Sequence, residues 1–368
     1  MYEPSKSGPL RASQSMKLDT TLKRQTLNSR AREVGVSLDH WFPIGWSDRL
    51  KKGQVKKQTI WNRDFAVYRG QGGQVYAMDN HCLHKGVELS LGDVEGDKLV
   101  CAYHGWKFNG SGQCVEIPYL NDSEQLPRQC LKSLPVVERY NLIWIFPGDP
   151  ALGDEEAIPS VPEFDDPDWL VVEIPAFFNV HFSMVNENPL DVFHGHLHRD
   201  LQGWYLPELM ELNRDEDSVV ARYDVSFNNG WLPRLLGLSQ SKDPIVKRQI
   251  EVGYHYPHCR NTMPGKSNYY FMRQPEGEQK TRSYALLCIK IRLPAWLVRM
   301  TRRMLSKVLA RFLVKPFLDQ DIEVMESEQR NAIKNQDQRF VEINPVIAAA
   351  QLLTVKKYDA FVARRNAR

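Results

Sequence analysis

Four residues constrain the first half of this chain more than any others: Cys82, His84, Cys101 and His104, spaced C-x-H-x16-C-x2-H. Each pair sits in a short loop, Asn80–Gly86 and Cys101–Trp106, so each loop offers one thiol and one imidazole to a common site. The flanking segments are short and punctuated by glycine turns at Gly53, Gly70, Gly72-Gly73 and Gly110-Ser111-Gly112. Phe65–Tyr68, Gln74–Met78 and Leu142–Phe146 have the β-branched and aromatic content of strands. The pattern predicts an all-β domain over residues 38–150, with two hairpin loops closing over one small group.

Two thiolates and two imidazoles form the ligand set of a Rieske [2Fe–2S] centre, in which two histidines replace two cysteines on one iron and raise its potential. The competing assignment is a Cys2His2 zinc site. Zinc fingers group the cysteines together and the histidines together, whereas here each loop contributes one of each. His81 stands outside both pairs. Cys114, Cys130, Cys259 and Cys288 are expected to be buried small hydrophobes. His40, His181, His255 and His258 have no spacing that singles them out.

The second informative stretch is Asn188–His198, Asn-Pro-Leu-Asp-Val-Phe-His-Gly-His-Leu-His. Pro189 after Asn188 reads as an N-cap followed by proline at the first helical position. At about 100° per residue, Asp191, His194 and His198 share one sector and His196 points away. Two imidazoles at i and i+4 can bind one metal ion; a His-rich surface turn is the plainer reading. A third ligand is sought in Phe317–Glu326. There Phe317, Leu318, Ile322, Val324 and Met325 share one side with Asp321 at its middle, and Asp319, Glu323 and Glu326 lie opposite. A carboxylate centred on an apolar face is costly unless it is paired or binds a metal. Asp321 is therefore the expected ligand, Glu328 the next choice, and a salt-bridged acid the alternative. Two histidines and one carboxylate hold Fe(II) on one face and leave the other open.

Together these motifs resemble the Rieske non-heme iron oxygenases, specifically their catalytic α subunit. The resemblance runs from Trp41 to about Gln329. It rests on Trp41-Phe42-Pro43, Cys82–Gly86, Leu89–Gly92, Cys101–Phe108, Gly112-Gln113-Cys114, Ile117-Pro118 and an Asp-x4-Glu pattern at Asp321 and Glu326. One departure is that three residues separate His194 from His198, where many members have four. The resemblance implies an α+β chain. An arm (1–37) and the β Rieske domain would be followed by a catalytic domain (151–345) in which an antiparallel sheet grips a helix, and by a C-terminal helix (346–368). The acidic, Pro-rich stretch near 155–167 reads as the inter-domain connection.

The same resemblance implies a [2Fe–2S] cluster on Cys82, His84, Cys101 and His104 and a mononuclear Fe(II) on His194, His198 and Asp321. Asp191 would bridge His194 to the partner subunit's His104 in a head-to-tail homotrimer. The partners implied are a separate NAD(P)H-dependent reductase or ferredoxin, O2 and a small organic substrate. The length is similar to that of α-only monooxygenases such as vanillate O-demethylase and dicamba monooxygenase. The His-x3-His variant and the Val341–Pro345 tail are similar to members near the pheophorbide a oxygenase group, which implies a large cyclic substrate. Asn188 is a cap or a polar wall of the iron pocket. Val185, Phe193, Trp204 and residues 229–265 are expected to line that pocket. An electron carrier of the same make-up would need none of His194, His198 or Asp321.

Composition narrows the rest. With 368 residues and a formal net charge of +3, the chain has room for two domains and too little positive charge to argue for nucleic acid. No apolar run approaches the ~18 residues of a membrane span, and the N-terminus lacks a secretory h-region. Six cysteines at this length do not make a disulfide scaffold, so a cytoplasmic setting is expected. Residues 294–317 carry Arg299, Arg302, Arg303, Lys307, Arg311 and Lys315 and no acid, with Val298, Leu305, Leu309 and Phe312 on the other side. Such a helix packs on its own domain, lies on an anionic membrane surface, or docks an acidic ferredoxin.

Overall fold

Short strands with frequent turns bury apolar surface only by stacking as sheets, and the first half of the chain does so. The computed structural model describes residues 26–120, 125–154, 157–199, 201, 204–228, 245–291, 301, 304–335, 338 and 340–367. In chain order the first strands are β1 (Phe42–Trp46), β2 (Val55–Ile60), β3 (Arg63–Arg69), β4 (Val75–Asp79), β5 (Asp93–Glu95) and β6 (Lys98–Val100). They are followed by β7 (Lys107–Phe108), β8 (Cys114–Glu116), β9 (Ser133–Leu134), β10 (Val136–Arg139) and β11 (Leu142–Ile145). They form three antiparallel sheets, ordered β1-β11-β10, β2-β3-β4-β9 and β5-β6-β7-β8. The three predicted strands fall in β3, β4 and β11.

The second half is a seven-stranded antiparallel sheet. Its strands are β12 (Trp169–Phe178), β13 (Trp204–Arg214), β14 (Ser218–Asn228), β15 (Ile245–His255), β16 (His258–Met263), β17 (Ser267–Gly277) and β18 (Lys280–Lys290), in the order β12-β18-β17-β16-β15-β14-β13. The helices are α1 (Leu27–Glu33), α2 (Phe182–Glu187), α3 (Lys315–Lys334) and α4 (Pro345–Asn366). Val346, Ile347, Ala350 and Leu353 of α4 pack in one core with Tyr223, Val252 and Tyr254 of the sheet, so the sheet does hold a helix. The class is α+β, as expected.

The period-2 geometry of a strand lets β3 serve two cores at once. Phe65 and Val67 enter the core shared with the large sheet and α4, while Ala66 and Tyr68 enter the one beneath the cysteines. The two halves therefore share buried surface rather than hang on a tether. The connection is packed too: Ile158 and Val161 are buried with Trp41, Trp144, Tyr270 and Leu286. Glu163 of that stretch accepts hydrogen bonds from Tyr270 (2.9 Å) and Asn268.

The segment before the first strand is not wholly a loose arm. Residues 1–25 lie outside the described residues, but α1 presents Arg32 to both oxygens of Glu187 (2.5 and 2.8 Å) and to Glu328 (3.1 Å). That guanidinium joins the end of α2 to α3. Bidentate Arg–carboxylate geometry is among the stronger polar contacts a protein makes. A second brace is Arg273, buried on β17. It donates to Val185 O (3.0 Å), Asn186 Oδ1 (3.2 Å) and Ser283 Oγ (2.6 Å) and lies over the Phe271 ring (5.1 Å). Burial lowers its pKa to about 10, so it remains cationic at neutral pH.

Two buried histidines fix their own protonation state. His258 donates from Nε2 to Trp41 O (3.0 Å) and accepts at Nδ1 from the Arg273 N–H (3.1 Å). His181 likewise donates to Val34 O (3.1 Å) and accepts from the Ser183 N–H (3.3 Å). A proton on either Nδ1 would face an N–H donor. Burial, the dominant cause, lowers both to about 3. Because the folded pKa lies below the unfolded value, stability is complete above pH ~6.5 and is lost as pH falls towards 3. Each proton contributes about 1.4 kcal/mol per pH unit. We expect the urea midpoint to fall steadily from pH 6.5 to 5, corresponding to roughly 4 kcal/mol for the two rings. A midpoint constant over that range would show that these rings accept protons in the folded protein.

Candidate active site

The cysteine–histidine loops are near copies of each other. Gly86 N donates to Cys82 O (2.9 Å) and Gly105 N to Cys101 O (3.0 Å). Both glycines have positive φ, +71° and +69°, a conformation that costs other residues energy. Each turn places its cysteine inward and its histidine outward. Cys82 and Cys101 are buried, His84 is exposed and His104 is half-buried. The two imidazole rings are 4.4 Å apart, His84 stacks on Trp106 at 4.9 Å, and Tyr103 covers His104 at 3.9 Å.

These donors fit a two-iron cluster and not a single ion. Among the described residues, the one set of three or more His, Cys, Asp or Glu donors within 4.8 Å of one another is His194, His198 and Asp321. A tetrahedral zinc would need all four loop donors closer than that. Burial pushes the Cys82 thiol up to about 11, and the neighbouring Cys101 thiol adds to the rise. The Cys82 thiolate is thus favoured when a metal takes the place of the proton. Cys114, Cys259 and Cys288 are buried as expected, but Cys130 is exposed.

The Asn188–His198 segment departs from the predicted α-helix. It consists of two 3-10 turns, Asn188–Leu190 and Val192–His196, broken at Asp191 (φ −84°, ψ 89°). Asn188 is not an N-cap. It ends α2 in the helical conformation, and its Nδ2 donates to Asp321 Oδ1 (3.2 Å). The break arises because Asp191 caps the second turn itself, accepting from Phe193 N (3.1 Å). A 3-10 turn advances about 120° per residue, so the α-helical wheel was the wrong construction for these residues. The pairing it predicted still forms, with His194 and His198 both directed at Asp321, although the hydrogen bonds from His194 to Leu201 keep the three-residue step. His196 faces outward, against Arg199.

His198 Nε2 lies 3.1 Å from Asp321 Oδ1, and His194 Nε2 lies 3.9 Å from the same oxygen. Gln320 Oε1 fixes the other side of the His198 ring through Nδ1 (2.9 Å). The His198 ring is disfavoured as a cation by burial, yet its bonds to Asp321 and Gln320 raise it above the ordinary imidazole range. Burial dominates at His194 and lowers it. Its Nδ1 is buried without a hydrogen-bond partner. The Trp204 indole packs against both rings, at 5.6 and 5.3 Å, and Phe317 packs on His198 at 5.0 Å. Trp204 can lie there because residue 195 is glycine: a Cβ would come within 2.1 Å of the indole nitrogen.

On α3, Asp319 faces solvent, as expected. Glu326 does not behave as a solvated acid, since it accepts from the backbone and side chain of Asn179 (3.2 and 2.8 Å). Glu328, the second-choice ligand, is engaged by Arg32. Of the expected pocket residues, Val185 is buried on α2 in one cluster with Met325, Phe193 is 52 % exposed, and 229–244 lie outside the described residues. A cavity of about 680 Å³ lies elsewhere, lined by Trp46, Lys56, Arg282 and Tyr284 among others and by no residue of the triad. Sequence reading missed Gln320 and Asn344, whose Nδ2 donates to Asp191 Oδ1 (3.2 Å).

Comparison with known proteins agrees with this geometry. Residues 40–135 match the Rieske [2Fe-2S] domain and residues 178–360 the vanillate O-demethylase oxygenase C-terminal domain. The 4beta-methylsterol monooxygenase of Methylococcus capsulatus is 33 % identical over 339 residues, 90 % of this chain and 91 % of that one. The chain belongs to the Rieske non-heme iron oxygenases, and it is an oxidoreductase that carries a [2Fe–2S] cluster and a mononuclear iron. Its fold is that of dicamba monooxygenase bound to dicamba (TM-score 0.73, 22 % identity, 91 % of this chain and 100 % of the other). It also resembles the fluorene-bound oxygenase in the ferredoxin complex of carbazole 1,9a-dioxygenase (TM-score 0.64, 18 % identity, 90 % and 92 %).

Proposed function

We propose that the chain is the terminal oxygenase of a multi-component monooxygenase, acting on a methyl group of a large apolar polycyclic substrate of the sterol class. The observation that carries this reading is the convergence of His194, His198 and Asp321 within 4.8 Å, which an electron carrier has no use for. Cys82, His84, Cys101 and His104 would hold the cluster, and the triad the mononuclear iron. When bound, the cluster supplies electrons one at a time and the Fe(II) supplies open positions at which dioxygen is activated. The overall balance is RH + O2 + 2e⁻ + 2H⁺ → ROH + H2O. The sterol assignment rests on the full-length relative named above.

The chain's own residues do the positioning. Gln320 fixes the tautomer of His198 and holds its ring. Asn188 restrains the Asp321 oxygen that faces both imidazoles. Trp204 and Phe317 wall the rings with apolar surface and keep bulk water from them. We assign Asp191 the role of conduit between His194 and a cluster histidine of the neighbouring subunit, in a head-to-tail trimer. Two exposed apolar rims suit such a contact: Leu91, Tyr103 and Tyr119 around the cluster, and Phe193, Val341 and Ile343 near Asp191. Electrons would come from a separate NAD(P)H-dependent reductase or a ferredoxin.

The test is EPR of anaerobically reduced protein with nitric oxide. A cluster signal and a high-spin ferrous-nitrosyl signal are expected, the latter lost in Asp321→Ala, His194→Ala and His198→Ala and kept in His196→Ala. A cluster signal without nitrosyl in iron-reconstituted wild type would leave only the electron carrier.

A basic surface next to the site suits a membrane-dissolved substrate. No helix among the described residues is long and apolar enough to cross a membrane. Residues 304–309 are helical and run through a π-helical turn, Ala310–Val314, into α3, the helix that carries Asp321. Leu305 and Leu309 pack inward, as predicted. Phe312, predicted to join them, is instead 71 % exposed, in a stripe with Met304 (65 %) and Val308 (44 %). Lys307 and Arg311 flank the stripe; Arg299, Arg302 and Arg303 lie outside the described residues. An apolar stripe with cationic flanks suits an anionic lipid surface. The holoenzyme should co-sediment with vesicles of phosphatidylcholine and phosphatidylglycerol and be released by the double change Met304→Glu, Phe312→Glu. Wild-type protein left in the supernatant would rule the membrane out and leave an acidic protein as the surface's partner.

A further inference from the structure

We propose that Asn344, which caps the C-terminal helix, is the positioning residue that sets Asp191 for electron transfer. The inference rests on the conduit role assigned to Asp191 above. Asn344 Oδ1 accepts from Val346 N (3.0 Å), the N-cap bond of α4, and Nδ2 donates to Asp191 Oδ1 (3.2 Å). The cap decides the amide's orientation. The carbonyl oxygen must face the Val346 N–H, so the NH2 group has to face Asp191. Asn344 is itself held, buried and with its backbone N–H on Glu342 Oε1 (2.6 Å). Behind it, Val346, Ile347 and Ala350 anchor α4 in the core.

Both hydrogen bonds to Asp191, from Phe193 N and Asn344 Nδ2, end on Oδ1. Among the described residues Oδ2 takes no hydrogen bond, so the carboxylate is held through one oxygen and the other is left for an arriving donor. Without Asn344, one backbone N–H would remain to hold a side chain that turns about two bonds. The helix α4 thus sets the aim of a residue 153 positions away in the chain.

The cap and the positioning role can be separated. Serine caps a helix as well as asparagine does, but its shorter side chain cannot reach Asp191. The experiment uses the assembled, iron-loaded holoenzyme, oxidised and mixed anaerobically with a photoreduced flavin. Rapid-freeze EPR then follows loss of the ferric mononuclear signal after the cluster is reduced. No substrate is needed. Asn344→Ser should keep the wild-type melting midpoint, iron content and cluster potential, while transfer slows roughly ten- to hundredfold. Asn344→Ala should slow transfer similarly and also melt earlier. Asp191→Asn should slow transfer at least as much, and adding Asn344→Ser to it should change nothing further, since the two act through one group. Wild-type transfer in Asn344→Ser, or losses that multiply in the double variant, would overturn the role of Asn344. Wild-type transfer in Asp191→Asn would instead overturn the conduit reading on which it rests.

Discussion

A carboxylate on the inner side of a helix, among apolar neighbours, is expensive to keep there, and much of this structure is arranged around one. Asp321 is tolerated because two imidazoles and the Asn188 amide surround a single one of its oxygens. Bonds to Asp321 and Gln320 raise the affinity of His198 for a proton. A divalent ion held by the same side chains would likewise put positive charge beside the carboxylate.

Bringing His194, His198 and Asp321 together from two distant stretches requires the stretches to be held to each other. α2 and the turns after it carry the histidines, and α3 carries the acid. Arg32 bonds to Glu187 at the end of the first and to Glu328 on the second. Glu326, one turn beyond Asp321, takes both N–H groups of Asn179, just ahead of α2. Arg273 ties α2 to the sheet beneath through a backbone carbonyl and an amide. Each brace satisfies a group that would be costly to bury alone, so stability and site geometry come from the same bonds. His258 extends the frame to the first half of the molecule by joining Trp41 to β17.

The two facing cysteine–histidine loops were legible in the sequence because loops with one cysteine and one histidine each admit few alternatives. Asp321 was legible because helix α3 is regular, so a wheel correctly set it apart from Asp319. The histidine segment was read with the right partners for a partly wrong reason. The pattern of residue types does not announce that Asp191 will cap its own turn and break the helix, since that depends on whether its carboxylate or a preceding carbonyl accepts from the Phe193 N–H. Arg32, Glu326, Gln320 and Asn344 were not legible at all. Their roles come from contacts between segments up to several hundred residues apart, and a single charged or amide residue in a polar stretch carries no trace of such a partner. Phe312 was misplaced because the π-helical turn at Ala310–Val314 shifts the register that a uniform wheel assumes.

That shift gives α3 its second use. A π turn inserts one extra residue per turn, so the face that continues inward beyond it is not the face that continues inward before it. Up to Leu309 the inward residues are Leu305 and Leu309, and after the turn they are Val314, Leu318 and Met325. Without the inserted residue, keeping Asp321 directed at the histidines would rotate the earlier turns by about 100° and carry Phe312 and its neighbours to another part of the surface. One continuous helical run can therefore present Asp321 at one end and an exposed apolar stripe at the other without either constraining the sequence of its partner segment. The distance between them, at 1.5 Å per residue from Phe312 to Asp321, is about 14 Å.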